Sequence, residues 1–267
     1  MSFRTNLFEA SEERSIKQRK GPFAVLEYAK DVSVAPEDAQ LAYFSSEMNV
    51  RKRQLIAEIR DKDGVFVQAG EMQMMIGDVE ATTGVKGAGD LFRKLVSSVV
   101  TSESVVKPHY IGDGVLVLEP TYKHILLEDL KDWPDGMVIE DGMFLACEDG
   151  TDISVTGRKT VSSMILGGEG LFNCTLTGDG LVALESPVPR EELIEIELEE
   201  DTVKIDGNMA IAWSPELRFT VDKSMGTLIG SAVSGEGFVN VYEGTGKILM
   251  APVRNNKRIK SPETKQK

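Results

Sequence analysis

The stretches GGEGLFNCTLTGDG (residues 167–180) and SGEGFVNVYEGTG (residues 234–246) are nearly the same unusual phrase written twice. A fixed period of this kind is the mark of a repeated structural unit. A fainter third copy, TSESVVKPHYIGDG, occupies residues 101–114. Across the three copies Glu103, Glu169 and Glu236 recur at spacings of 66 and 67, and the pairs Gly112/Gly114, Gly178/Gly180 and Gly244/Gly246 recur at 66 and 66. Upstream of each, an apolar run meets a glycine: VFVQAGEMQMM (65–75), MVIEDGMFLAC (137–147) and TVKIDGNMAIAW (202–213), with Gly70, Gly142 and Gly207. Between these markers Lys94, Lys159 and Lys223 follow at spacings of 65 and 64. Three independent markers that hold one period predict a triplicated unit, with repeats near residues 50–120, 121–188 and 189–253.

The local grammar of the unit is β. In EELIEIELEED (191–201), Ile194, Ile196 and Leu198 alternate with Glu195, Glu197 and Glu199, the period-two pattern of a strand with one wet face. The G-x-G pairs predict tight hairpin turns, because glycine takes positive φ without Cβ strain and an apolar strand follows each pair. GDG lacks the strand, GxGxxG and helix surroundings of a phosphate loop. One helix is predicted in PEDAQLAYFSSEMN (36–49), with Pro36 at its start and Leu41, Phe44 and Met48 on one face. A shorter helix is expected at 91–99.

The chain of 267 residues is 41% hydrophobic, enough to bury a core. No run approaches the eighteen apolar residues or so of a membrane span. Residues 1–20 mix Arg4, Arg14, Lys17, Arg19 and Lys20 with Glu9, Glu12 and Glu13, which fits neither a secretory signal nor a transit peptide, so the expected location is cytoplasmic. Residues 21–253 hold 19 Lys and Arg against 39 Asp and Glu, while 254–267 carry six bases and one acid. The expected organisation is a mobile N-terminal tail (1–20), one β body (21–253) and a basic C-terminal tail (254–267). An acidic body repels phosphate backbones, so no nucleic-acid partner is expected. Cys147 and Cys174 sit in apolar strand text and are predicted to be buried free thiols.

The combination of AGEMQMM, GGEGLF, SGEGFVNVYEGTGKI and ESPVPREELIEIEL resembles the altered-inheritance-of-mitochondria family numbered twenty-four in its prokaryotic members, over about residues 36–253. The resemblance implies an all-β fold similar to the tryptophan-RNA-binding attenuator protein (TRAP): three tandem short double-stranded β-helix sandwiches around a pseudo-threefold axis, here with a short N-terminal helix. It also implies a link, through the mitochondrial members, to inner-membrane organisation, with no biochemical role attached.

His109 and His124 stand 15 residues apart without HExxH or HxH spacing, and no GxSxG elbow occurs. The chain is therefore expected to be non-catalytic and to need no cofactor: a scaffold or oligomeric interaction protein, the alternative being a small-ligand or divalent-cation module in a β-sandwich pocket. Three apolar loops beside lysines are candidate interaction sites. They are Leu91, Phe92, Leu95 and Val96; Met164, Ile165 and Leu166; and Met225, Leu228 and Ile229. They are expected to form a plug shared within one chain, the alternative being a surface for a protein partner, self-association or peripheral membrane contact. Glu103, Glu169 and Glu236 are expected to brace hairpins by accepting backbone N–H groups, the alternative being three carboxylates gathered around Ca²⁺ or Mg²⁺.

Overall fold

The computed structural model describes residues 3–60, 63–82, 107–157, 172–223 and 238–253. Among them the chain is mostly β-strand, with one α-helix. It opens on a hairpin, β1 (Arg14–Lys20) and β2 (Phe23–Tyr28), and then enters α1 (Ala39–Glu47) through a 3-10 turn at Pro36–Asp38. There follow β3 (Arg53–Ile59), β4 (Val65–Val67), β5 (Met72–Thr82) and β6 (His109–Leu118). The middle of the chain forms β7 (His124–Asp129), β8 (Met137–Ile139), β9 (Phe144–Glu148), β10 (Thr151–Gly157), β11 (Phe172–Gly178) and β12 (Leu181–Ser186). The last third forms β13 (Ile194–Asp206), β14 (Ala210–Trp213), β15 (Arg218–Lys223) and β16 (Phe238–Met250).

Two antiparallel sheets result. One runs β1-β2-β3-β6-β4-β9-β12-β7 with β5 also on β6; the other runs β10-β11-β8-β14-β16-β13 with β15 also on β16. One pairing scheme recurs. Strand β6 has β5 along its whole length on one side, while β3 and β4 meet its two ends on the other. In the last third, β16 is flanked by β13 along one side and by β15 and β14 end to end on the other. In the middle third the same path is broken in two: β11 lies between β10 and β8, and β12 lies between β9 and β7.

Glycines make that break possible. The G-x-G pairs do not form the hairpin turns expected of them: Gly112 and Gly114 lie inside β6, Gly244 and Gly246 lie inside β16, and Gly178 ends β11 just before β12. A Cβ on Gly178 would overlap the carbonyl oxygen of Gly150, and one on Gly112 would overlap that of Asp78, so only a hydrogen fits where the partner backbone crosses. The phrase is a bend within a strand, and in the middle third it carries the chain from one sheet to the other. Gly70, Gly142 and Gly207 instead occupy turns between strands, at φ of 91°, 75° and 59°.

The run GVLVLEP is apolar on both faces for a reason visible in its packing. Leu116 and Leu118 point into a core with Phe23, Leu55, Ile59 and Leu145. Val115 and Val117 point the other way, into a cluster with Leu7, Leu26 and Ile56, against which Phe3 and Phe8 pack. The N-terminal residues are therefore not a tail: residues 14–20 form β1, and Leu7 is buried over the outer face of the first sheet. Burial of these apolar groups outweighs the sequence signal of mixed charge that suggested mobility. The alternation expected in 194–199 holds from Ile196, which is partly buried, and Leu198, which is buried, with Glu195, Glu197 and Glu199 exposed; Ile194 at the strand's start is exposed, and a register shift follows between Leu198 and Asp201. The helix expected at 91–99 and the C-terminal tail lie outside the described residues.

Two alanine substitutions separate conformational strain from steric collision. Gly70→Ala meets open space at positive φ and is expected to cost about 1–3 kcal/mol. Gly112→Ala adds a backbone overlap to the same strain and is expected to exceed that cost or to abolish folding. Denaturant midpoints of the two variants check the ranking.

Candidate functional site

Several turns converge at one end of the first sheet. The β1–β2 turn brings Gly21 and Pro22, the end of β3 brings Glu58 and Arg60, and the entry to β4 brings Asp63 and Gly64. The β9–β10 turn adds Glu148, Asp149 and Gly150, and the β11–β12 bend adds Asp179 and Gly180. Together with Arg19 and Val65 they line a cleft of about 730 Å³. Within it Asp149 is fully engaged: one carboxylate oxygen lies 2.7 Å from His109 Nε2, and the other accepts the Gly64 N–H at 2.8 Å. The His109 ring stacks on Phe66 with centroids 4.3 Å apart. Glu58 holds Arg19 at 2.7 Å and Arg60 at 2.8 Å; partial burial raises its pKa, but the two guanidinium groups outweigh that and keep it below the usual glutamate value.

Glu148 is the unusual member. Its Oε2 accepts the Leu181 N–H at 2.7 Å, yet burial pushes its pKa up, with the nearby charges of Asp129 and Asp63 acting in the same direction. The Leu181 N–H and the Lys131 charge act the other way, but desolvation outweighs them and favours the neutral acid. Asp63 and Asp179 line the same cleft, so its charge suits a cationic ligand. No group of three or more His, Cys, Asp or Glu side chains among the described residues has the geometry to hold a metal ion.

A second surface is built by α1. Residues at i, i+3 and i+7 share one face of a helix, and Leu41, Phe44 and Met48 do so here. That face points away from the body: the three side chains are 70%, 57% and 77% exposed, whereas Ser46, on the opposite face, is 3% exposed. The helix is capped by Met48 and followed by Asn49 at φ 61°, and its C-terminal end is tied down there. Arg53 donates to the Asn49 side chain at 2.6 Å and to Glu27 at 3.0 Å, and Arg51 donates to the Ser46 carbonyl at 2.9 Å. Tyr122 donates a hydrogen bond to Asp31, which pushes the tyrosine pKa up to about 12.

Residues 46–253 match the family model described as mitochondrial biogenesis AIM24. The chain belongs to the AIM24 family. A crystal structure of a Streptococcus pyogenes protein is similar to it, at 26% sequence identity and a TM-score of 0.57, covering 78% of this chain and 90% of that one. No curated protein matches. Helix α1 lies almost wholly ahead of the matched region: Leu41 and Phe44 precede it, and Met48 falls within it.

In this AIM24-family chain the residues singled out by sequence fall largely outside the described region. Glu103, Glu169 and Glu236 lie there, and so do Leu91, Phe92, Leu95, Val96, Met164, Ile165, Leu166, Met225, Leu228 and Ile229. His109 and His124 begin strands β6 and β7. Cys147 and Cys174 are buried free thiols as expected, and burial pushes the Cys147 thiol far above its ordinary pKa. Sequence reasoning missed the cleft. Its acids sit in short turns such as EDG (148–150) and GDG (178–180), which look like ordinary loop chemistry until the sheet gathers them. No helix among the described residues is long and apolar enough to cross a membrane.

Two measurements follow from these environments. The folded state raises the pKa of Glu148, so its contribution is favourable below the unfolded value near 4.3 and is lost as pH rises through the folded value. Glu148→Gln keeps an acceptor for the Leu181 N–H and is expected to raise Tm at pH 7 by a small amount, ~2 °C, and to lose that advantage near pH 4. Separately, neither thiol is expected to react with a thiol-specific reagent in native protein, and both are expected to react in denaturant.

Proposed function

We propose that this AIM24-family protein is a non-catalytic scaffold that docks other proteins, built as three tandem TRAP-like sandwiches about a pseudo-threefold axis. The recurrence of one pairing scheme around β6, β11–β12 and β16 supports the architecture. The outward apolar stripe of α1 carries the functional reading. A helix in a folded domain ordinarily turns such a stripe to the core; this one turns its small residues inward and leaves Leu41, Phe44 and Met48 in water, where contiguous apolar surface marks an interaction site. The charges on the stretch Pro36–Glu47 are Glu37, Asp38 and Glu47, all exposed. The nearby bases Arg51, Lys52 and Arg53 are paired with Glu27 and Asp31. An acidic rim around apolar anchors suits a basic amphipathic segment of a partner protein.

A second reading, a small-ligand module, has one observation in its favour: the cleft that gathers Asp63, Glu148, Asp149 and Asp179. The two readings part under mutation. Leu41→Ser/Phe44→Ser is expected to leave Tm within about 2 °C of wild type, because exposed side chains contribute little to the core, and to lower affinity for a fluorescent basic amphipathic peptide at least tenfold. Equal binding of that peptide by both proteins, or no preference for it over a scrambled peptide of the same composition, would overturn the docking reading. Native mass spectrometry showing a small cationic molecule lost on Glu148→Gln would establish the second.

A further inference from the structure

Residues 3–10 cross the outer face of the first sheet as a strap. Phe3, Leu7 and Phe8 are its large apolar side chains; Leu7 is buried, and Phe3 and Phe8 are partly buried against the same cluster. Beneath them lie Ala24 and Leu26 of β2, Ile56 of β3, and Val115 and Val117 of β6, each no more than 1% exposed. The Phe3 ring reaches β5, where its Cε1 lies 3.3 Å from the point that a Cβ on Gly77 would occupy, so the glycine leaves a recess for the ring. The floor is an apolar trough across four neighbouring strands, β2, β3, β6 and β5.

Side chains, not backbone, hold the strap on that floor. Its own hydrogen bonds are local: the Leu7 N–H donates to Thr5 Oγ1 at 3.1 Å, and the Glu9 N–H to the Asn6 carbonyl at 3.1 Å. From β1, the Arg14 guanidinium donates to the Asn6 carbonyl at 2.9 Å, and Arg19 sits over the Phe8 ring. Among the described residues no hydrogen bond joins residues 3–10 to β2, β3, β5 or β6. A segment laid across a sheet face in this way lifts without breaking the sheet beneath it. Ordering it costs conformational entropy, against which stand one buried leucine and two partly buried phenylalanines. The link to β1, residues 9–13, is exposed throughout and serves as the hinge.

We propose that the strap is an internal ligand of a docking trough. A partner protein's segment with the same spacing of anchors, an aromatic residue, three residues of any kind, then leucine and a second aromatic, displaces residues 3–10 and takes their place over Val115 and Val117. The strap identifies the occupant, since it shows which side chains fill the recess at Gly77 and cover the floor. An apolar face of this kind left open in water invites indiscriminate contact, and the strap closes it until a competing segment arrives. The partner's apparent affinity is lowered by the fraction of molecules in which the strap is down, so weakening the strap strengthens binding. The site is separate from α1, and the inference does not depend on the docking role assigned to that helix.

The probe is a fluorescent peptide of residues 3–12, FRTNLFEASE. A chain shortened to begin at Ser11 keeps the Ser11 Oγ that accepts the Glu13 and Arg14 N–H groups at the start of β1. It is expected to bind the peptide, and the intact chain to bind it about tenfold more weakly. Leu7→Ser in the intact chain loosens the strap without removing it and is expected to move the affinity toward that of the shortened chain. A peptide that keeps only Phe3, Leu7 and Phe8, with serine elsewhere, should bind as the strap sequence does, whereas Leu7→Ser/Phe8→Ser in the peptide should weaken binding about tenfold. In the intact chain, saturating peptide is expected to speed hydrogen exchange at the Leu7 and Glu9 N–H groups and to leave that of β2 unchanged. Absence of binding by both the shortened and the Leu7→Ser chains would overturn the proposal, as would equal binding by the intact and shortened chains. Unchanged exchange at Leu7 and Glu9 under saturating peptide would also overturn it. So would an intact chain that dimerises with concentration and is dissociated by the peptide, since the occupant would then be the strap of a second copy.

Discussion

The backbone of Gly178 lies against the carbonyl of Gly150 with no room for a side chain between them, and the architecture depends on that approach. The β10–β11 pair belongs to one sheet and the β9–β12 pair to the other, although β9 runs into β10 through a short turn and β11 into β12 through Asp179 and Gly180. A strand pair can bend from one layer to the next only where the two backbones meet without Cβ atoms to hold them apart. The same restriction recurs at Gly112 against the Asp78 carbonyl and at Gly114 against that of Ile76. Two layers tied together by continuous chain can bury Met137, Ile139, Leu176, Val182 and Leu184 in one core cluster without a separate connecting element.

That economy has consequences at both ends of the body. At the turn-rich end it crowds acids. Glu148, Asp149 and Asp179 are turn residues, and the bend that brings β9–β10 beside β11–β12 also brings Asp63 near them. Asp149 satisfies itself with His109 and a backbone N–H, whereas Glu148 is left with one amide and a partly dry surrounding. At the N-terminus, the two-sided burial of β6 requires a cover for Val115 and Val117, which Leu7, Phe3 and Phe8 supply. Arg19 over the Phe8 ring, 4.8 Å from its centroid, holds that cover to β1.

Helix α1 follows a different logic. Its inward face is small, its outward face is large and apolar, and its attachment is polar and concentrated at its C-terminal end through Arg51, Arg53 and Asn49. Core burial does not explain Leu41, Phe44 and Met48. Among the described residues they are large apolar side chains left exposed on one face of a helix. Those are the surfaces expected of a protein whose work is contact with others.

The sequence by itself determined the strand-rich class, the helix at 36–49, the period of the glycine markers and the burial of both thiols. Periodicity and side-chain polarity are local properties, and the chain carries them wherever it folds. Family membership was legible for the same reason, in phrases such as SGEGFVNVYEGTGKI. Only the tertiary structure decided that G-x-G is a bend inside a strand rather than a turn, because that depends on which backbone crosses it. It alone decided that residues 14–20 are a strand, since their partner β2 and the apolar face they help to cover are supplied by other segments. The direction of the α1 stripe and the gathering of Asp63, Glu148, Asp149 and Asp179 were illegible for one physical reason. A helix pattern shows that a face exists without showing what lies opposite it, and acids in separate turns become neighbours only when the strands between them pair.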